Sequence, residues 1–262
     1  MRRLFPVTDM TAIDDAAAAD REWSLDELAD AYAYPEEAAG PDGVWLRANM
    51  VSSLDGAAQH DGRSQPLSSD TDMRIFGTLR ALADVVVVGA ETVRQEQYRP
   101  ARAREVFAAR RTAAGQAPAP VIAIVSSSLD LDFSLPLFTS PLVPTVLLAG
   151  EAAPPERVAA AERAGVRVVT AGEGSRVDPE RAKRELAALG LRRQLTEGGP
   201  RLLGQFVASA ALDELCWTVS PTMTAGSAQR IAGGPSVTVP ARFSLASVLE
   251  EAGFLYTRYR RF

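Results

Sequence analysis

The chain has 262 residues, 47% of them hydrophobic and 23% charged, and carries a formal net charge of −5. That length holds one large domain or two small ones around a sizeable core, and the acidic balance argues against nucleic acid or an anionic membrane surface as the main partner. The single cysteine, Cys216, excludes an intramolecular disulfide and reads as a core thiol; with one histidine there is no zinc-type Cys/His cluster, and no metal is expected. The N-terminus lacks a sustained apolar stretch and no segment reaches the length of a membrane span, so a soluble, cytoplasmic protein is expected.

Residues 1–43 are acidic and alanine-rich, with a capping box, 24-SLDE-27, opening a short helix that stops before Tyr34-Pro35. They are expected to form an N-terminal extension packed on a single domain, 44–262. The first core strand, 45–51, runs into the turn 52-SSLDG-56. A helix is predicted over 70–82, then a strand over 84–89 that ends in Gly89. The Pro/Ala/Gly-rich 112–120 reads as a surface connection. Strands follow at 121–126, 145–150 and 166–170, with helices over 154–165 and 178–190. The second helix has Asp178 to cap it, Pro179 in its first turn and Gly190 to end it. Next come a strand at 192–196, the turn 197-EGG-199, a helix opened by Pro200, and strands at 214–220 and 253–262. Continuous Val/Ile/Leu runs mark strands covered on both faces. The last strand is more polar and alternating. The pattern predicts a three-layer α/β fold, with a mixed, mostly parallel sheet flanked by helices and an antiparallel C-terminal edge.

Ligands of open α/β sheets gather beyond the carboxyl ends of the strands. Three such ends stand out: the turn holding Asp55, the strand-to-helix turn at Gly89, and 197-EGG-199. Glycines there let backbone approach a phosphate at a helix N-terminus. The dinucleotide and P-loop glycine fingerprints are both absent, and a double glycine alone reads as a tight turn. Asp55 is either turn chemistry or an acid that orients substrate or supplies a proton. His60 reads as a solvated loop residue.

The combination is more specific than its parts. The stretches 53-SLDG-56, 79-LRALAD-84, 89-GAETV-93, 197-EGGPRLLGQF-206 and 212-LDEL-215, in that order, resemble the reductase domain of the bacterial bifunctional riboflavin-synthesis deaminase-reductase, over residues 44 to 262. The resemblance implies a dihydrofolate-reductase-like fold and NADPH-dependent hydride transfer to a ring-opened ribosylamino-pyrimidine phosphate, such as 5-amino-6-(5-phosphoribosylamino)uracil. It places the dinucleotide on Gly89, Thr92 and the stretch Gly198, Gly199, Pro200, Arg201, Leu202 and Leu203. Val51 and Pro66 would line the nicotinamide side, and Glu96 matches an acid near the cofactor. Ser126 and Ser127 are candidates for the 2′-phosphate, or plain loop residues. Asn49, Ser64, Arg80, Arg102 and Glu197 fall on the substrate side, with Asp55 and Glu197 as catalytic candidates. The resemblance also implies a homodimer.

The chain departs from that family in lacking the deaminase half and in carrying Asn49 where a lysine is common. Pro66 replaces an aromatic, and 96-EQYRP-100 replaces an Asp-Asp-Pro run. The lost cation points either to a less acidic substrate or to a phosphate held elsewhere, by Arg99 or Arg102. Two other readings stay open: a dihydrofolate reductase or other pteridine reductase, and an NADPH-binding regulator without turnover.

Overall fold

A computed structural model describes residues 1–6, 21–39 and 43–262. The alanine-rich part of the extension, 7–20, lies outside the described residues, as do 40–42. Ten strands form one sheet: β1 (Arg2–Phe5), β2 (Trp45–Ser52), β3 (Val85–Gly89), β4 (Val121–Val125), β5 (Val146–Ala149), β6 (Arg167–Thr170), β7 (Arg193–Thr196), β8 (Glu214–Val219), β9 (Phe243–Glu251) and β10 (Phe254–Arg261). Their order is β1-β9-β10-β8-β2-β7-β3-β4-β5-β6. From β8 to β6 the pairings are parallel; β10, β9 and β1 add on antiparallel. The antiparallel margin is therefore three strands wide, where the sequence showed one.

The helices are α1 (Leu25–Ala31), α2 (Asp70–Leu82), α3 (Ala90–Gln95), α4 (Ala108–Ala113), α5 (Pro136–Thr139), α6 (Pro155–Arg163), α7 (Pro179–Ala188) and α8 (Pro200–Ala208). Local chemistry sets their starts. Ser24 accepts from the Glu27 amide while Glu27 reaches back to the Ser24 amide, which is the capping box read from the sequence. Ser69 caps α2 and Asp178 caps α7 through the same type of bond.

The all-valine run of β3 shows why continuous apolar strands were legible. Val86 and Val88 enter one core with Ile122, Ile124 and Leu147, against α1 and α2. Val85 and Val87 enter the other with Ala123 and Leu148, against α7 and α8. Both faces are covered, so both phases of the two-residue period must be apolar.

The C-terminal end of α1 is tied into the sheet by charge. Arg47 on β2 and Arg258 on β10 share the Glu214 carboxylate at 3.1 and 2.8 Å, and all three side chains are buried. Arg47 also donates to the Tyr32 carbonyl at 2.7 Å, and Arg258 donates to that of Ala31. The guanidiniums thus satisfy carbonyls that a helix end leaves unpaired. Burial would push the Glu214 carboxyl up, but the two arginines outweigh it and hold the group down at about 2. Cys216 lies beside this cluster as a fully buried thiol, pushed up by burial to about 12.

Candidate active site

A cavity of about 980 Å³ opens at the carboxyl ends of β2 and β7, walled by α2 and by the segment 95–107. Its floor is a fixed ion pair. Arg80 donates Nε and a terminal nitrogen to the two oxygens of Glu197, each at 2.6 Å, in the bidentate fork geometry that suits a carboxylate. The Tyr98 hydroxyl donates to the same carboxylate. Burial and the Glu197 charge push that phenol well above its ordinary range, so it stays protonated as a donor. Arg80 lies over the rings of Phe76, at 4.5 Å, and Tyr98, at 5.3 Å. The guanidinium is committed on its edge and its face.

One wall is backbone. The turns leading into α3 and α8 meet where the Gly89 amide donates to the Gly198 carbonyl at 2.9 Å. Gly198 has φ +83° and is joined to Gly199 by a cis peptide bond. At Gly199 the backbone torsions are ordinary, yet a β-carbon there would stand 2.8 Å from Thr92 Oγ1. This cleft admits only backbone between two strand-to-helix turns.

Of the residues named from the sequence, Asn49, Val51, Ser64, Arg80, Thr92, Glu96, Arg102, Glu197, Gly199 and Pro200 line the cavity. Gly89 and Gly198 stand behind its wall as bonded backbone. Leu202 and Leu203 do not face it; they are buried in the second core and seat α8. Arg201 and Pro66 are exposed outside it, although Ser64 and Gln65, just before Pro66, do line it. Ser126 is buried, with its hydroxyl accepting from the Leu129 amide at 3.0 Å, so it closes a turn; Ser127 is exposed on that turn.

Asp55 needs correction. It lies outside the cavity, exposed, and both carboxylate oxygens accept hydrogen bonds from neighbouring turns. Ser53 Oγ donates to it, as do the amides of Thr224 at 3.2 Å and Ala225 at 2.7 Å. Those donors, Ser53 foremost, hold the carboxyl down at about 2. Asp55 staples the first turn to the loop after β8.

Two cavity residues on α2, Asp72 and Phe76, were passed over in the sequence. With Arg80, which was named there, they line the cavity at a spacing of four, one helical stripe. Arg99 and Arg104 line it as well, and neither they nor Arg102 form an ion pair with a carboxylate among the described residues. Arg104 rests on Gly77, where a β-carbon would collide with its guanidinium. A glycine in the middle of α2 thus makes room for a cation.

Parallel strands, helices on both faces, a glycine-walled cleft and a charged floor define a three-layer α/β protein of the reductase type. The chain matches the family model described as the RibD C-terminal domain over residues 44–252, and it belongs to that family. It is 26% identical over 183 residues to the 2,5-diamino-6-ribosylamino-4(3H)-pyrimidinone 5′-phosphate reductase of Archaeoglobus fulgidus, covering 70% of this chain and 82% of that one. A pyrimidine reductase-like protein from Corynebacterium diphtheriae superposes with a TM-score of 0.78 at 26% identity, covering 90% of this chain and 98% of that chain. The diaminohydroxyphosphoribosylaminopyrimidine deaminase/5-amino-6-(5-phosphoribosylamino)uracil reductase of Thermotoga maritima shares the fold at 19% identity, with a TM-score of 0.63 over 84% of this chain and 57% of that one.

Proposed function

We propose that this protein is an NADPH-dependent reductase of a ribosylamino-pyrimidine phosphate. The observation that carries the proposal is the joining, in one cavity, of a backbone-walled cleft at the start of α8 with three arginines that have no carboxylate partner among the described residues. The cleft fits a dinucleotide: Gly199 lets the α8 turn close against Thr92 with no side chain between them, and the N-terminus of α8 offers backbone amides to a pyrophosphate. Bound there, NADPH supplies the hydride.

The chain's own groups do the rest. Arg102, Arg99 and Arg104 offer charge to the substrate phosphate, the task that Arg80 cannot take while Glu197 holds it. Glu197 accepts three hydrogen bonds and, with roughly four acceptor positions on a carboxylate, keeps one for a substrate hydroxyl or amine. Val51 and Met50 supply apolar wall on which a ring can lie. Because the ion pair is rigid before substrate arrives, little ordering remains to be done on binding.

The test is a side-by-side assay of NADPH consumption with the diamino-ribosylamino-pyrimidinone phosphate and with dihydrofolate. Consumption with the first well above the second is expected. Faster turnover of dihydrofolate, or tight NADPH binding without turnover of either, would overturn the proposal.

A further inference from the structure

Asp72 is a charged group of the cavity that the reductase reading leaves unused. It is 6% exposed, yet it lines the cavity. Its oxygens accept from Ser68 Oγ at 2.5 Å and Thr218 Oγ1 at 2.6 Å, both neutral donors. Among the described residues no cation pairs with it. Burial raises its carboxyl above the ordinary range, only partly opposed by the two hydroxyls. Glu197, by contrast, is neutralised by Arg80.

A helix-start preference for acids does not explain such a group. Asp70, in the same first turn and exposed, already serves the helix dipole. A buried carboxyl without a cation is costly unless something charged or strongly hydrogen-bonding completes it. Two neutral hydroxyls leave each oxygen with acceptor capacity.

The position narrows what completes it. Asp72 and Arg80 lie on one stripe of α2, eight residues apart, or about 12 Å along the axis, with Phe76 between them. Thr218, which holds Asp72, is the β8 partner of Val51 across the sheet. An elongated ligand lying along α2 would set one end at Asp72 and the other toward Arg80 and the arginines of 99–104.

We infer that Asp72 reads the amino-substituted edge of the pyrimidine and selects the 2-amino ring over its 2-oxo counterpart. This deepens the proposed reductase function and rests on it. A 2-amino-4(3H)-pyrimidinone offers N3–H and the 2-amino group side by side, two donors matched to two carboxylate oxygens. The corresponding uracil keeps N3–H but replaces the second donor with a carbonyl oxygen, which faces the carboxylate with nothing to share. The reduction would then act on the ring before its 2-amino group is hydrolysed, so a deaminating reaction must consume the product.

The experiment compares 2,5-diamino-6-ribosylamino-4(3H)-pyrimidinone 5′-phosphate with 5-amino-6-(5-phosphoribosylamino)uracil. For each, kcat/KM with NADPH and the equilibrium Kd by calorimetry are measured at pH 8, in the wild type, Asp72→Asn and Thr218→Val. Leaving a buried polar group unpaired separates the rings by at least about tenfold in the wild type. Asparagine presents one donor and one acceptor, so Asp72→Asn should abolish or reverse that preference. Thr218→Val removes a support but keeps the carboxylate, and it should lower Tm while retaining the wild-type preference. A purely structural Asp72 would weaken both rings alike. A wild-type ratio near one, or a ratio unchanged in Asp72→Asn, would overturn the inference. If NADPH is consumed with neither ring while calorimetry keeps the preference, the reductase reading falls and the role of Asp72 stands. If calorimetry is also flat, both fall.

Discussion

Removing the Arg80 side chain is the sharpest perturbation of the cavity floor. The Glu197 side chain is 4% exposed and that of Arg80 is 27% exposed, so Arg80→Ala strips a nearly buried carboxylate of its only cation. Breaking such a pair from one side costs about 3–5 kcal/mol when both partners are fully buried. Partial exposure of Arg80, and the Tyr98 donor that remains, bring the expectation down to about 2–3 kcal/mol. For a domain of this size that is a fall in Tm of roughly 5–10 °C. Glu197→Ala together with Arg80→Ala removes the stranded charge, so the double variant should be more stable than the sum of the two single losses predicts. Thermal unfolding of the four proteins closes the cycle. A single Arg80→Ala loss below about 1 °C, or strict additivity in the double variant, would refute a preformed ion pair as the floor of the site.

Other expectations are more local. Gly199→Val should weaken NADPH binding at least about tenfold in calorimetry with little change in Tm, because the intruding atoms meet Thr92 at the cleft rather than the core. Asp55→Asn should leave turnover near wild type, since the side chain lies outside the cavity and asparagine keeps one acceptor oxygen for the loop amides; a large loss would restore the acid role. Arg102→Ala should raise KM for the phosphorylated substrate several-fold and leave kcat nearly unchanged, as removal of a contact made equally in ground and transition states does. Glu214 has its carboxyl lowered from the ordinary 4.5 to about 2, so it adds stability above pH 4.5 that is lost as pH falls toward 2. Acid titrations of Tm should accordingly be flatter in that window for Glu214→Gln, whatever the overall loss.

The strands and the longer helices from residue 45 to 220 were legible because local signal agreed with the packing, whereas the short helices Ala108–Ala113 and Pro136–Thr139 went unread. Asp70–Leu82 forms the helix that its cap and apolar spacing predict, and the valines of β3 are buried on both faces. What escaped was β9 with β1. Residues 243-FSLASVLEE-251 are only half buried and show no clean alternation. Their hairpin to β10 turns at Ala252 and Gly253, both at positive φ, and alanine there hides the Asn-Gly or Asp-Gly signal that such turns usually carry. In the site, the glycines of 197-EGG-199 alone read as a tight turn, and only the family resemblance placed a dinucleotide there. The Arg80–Glu197 pairing was not readable, since residues 117 apart in the chain declare no distance. Asp55 misled for a physical reason. A carboxylate at a strand end looks the same in sequence whether it faces a ligand or a neighbouring loop.

The tie between α1 and the sheet bears on where this protein can be cut. The family match runs from 44 to 252 and so ends one turn before β10. A chain trimmed to those limits would lose Arg258 and Arg260, two of the three arginines paired with Glu214 among the described residues. It would also lose the carbonyls of Tyr32 and Ala31, against which Arg47 and Arg258 are seated. Arg47 and Glu214 would remain inside the sheet with half their partners gone, a far costlier state than leaving the pair intact. The unit that folds is therefore wider at both ends than the unit that sequence comparison recognises.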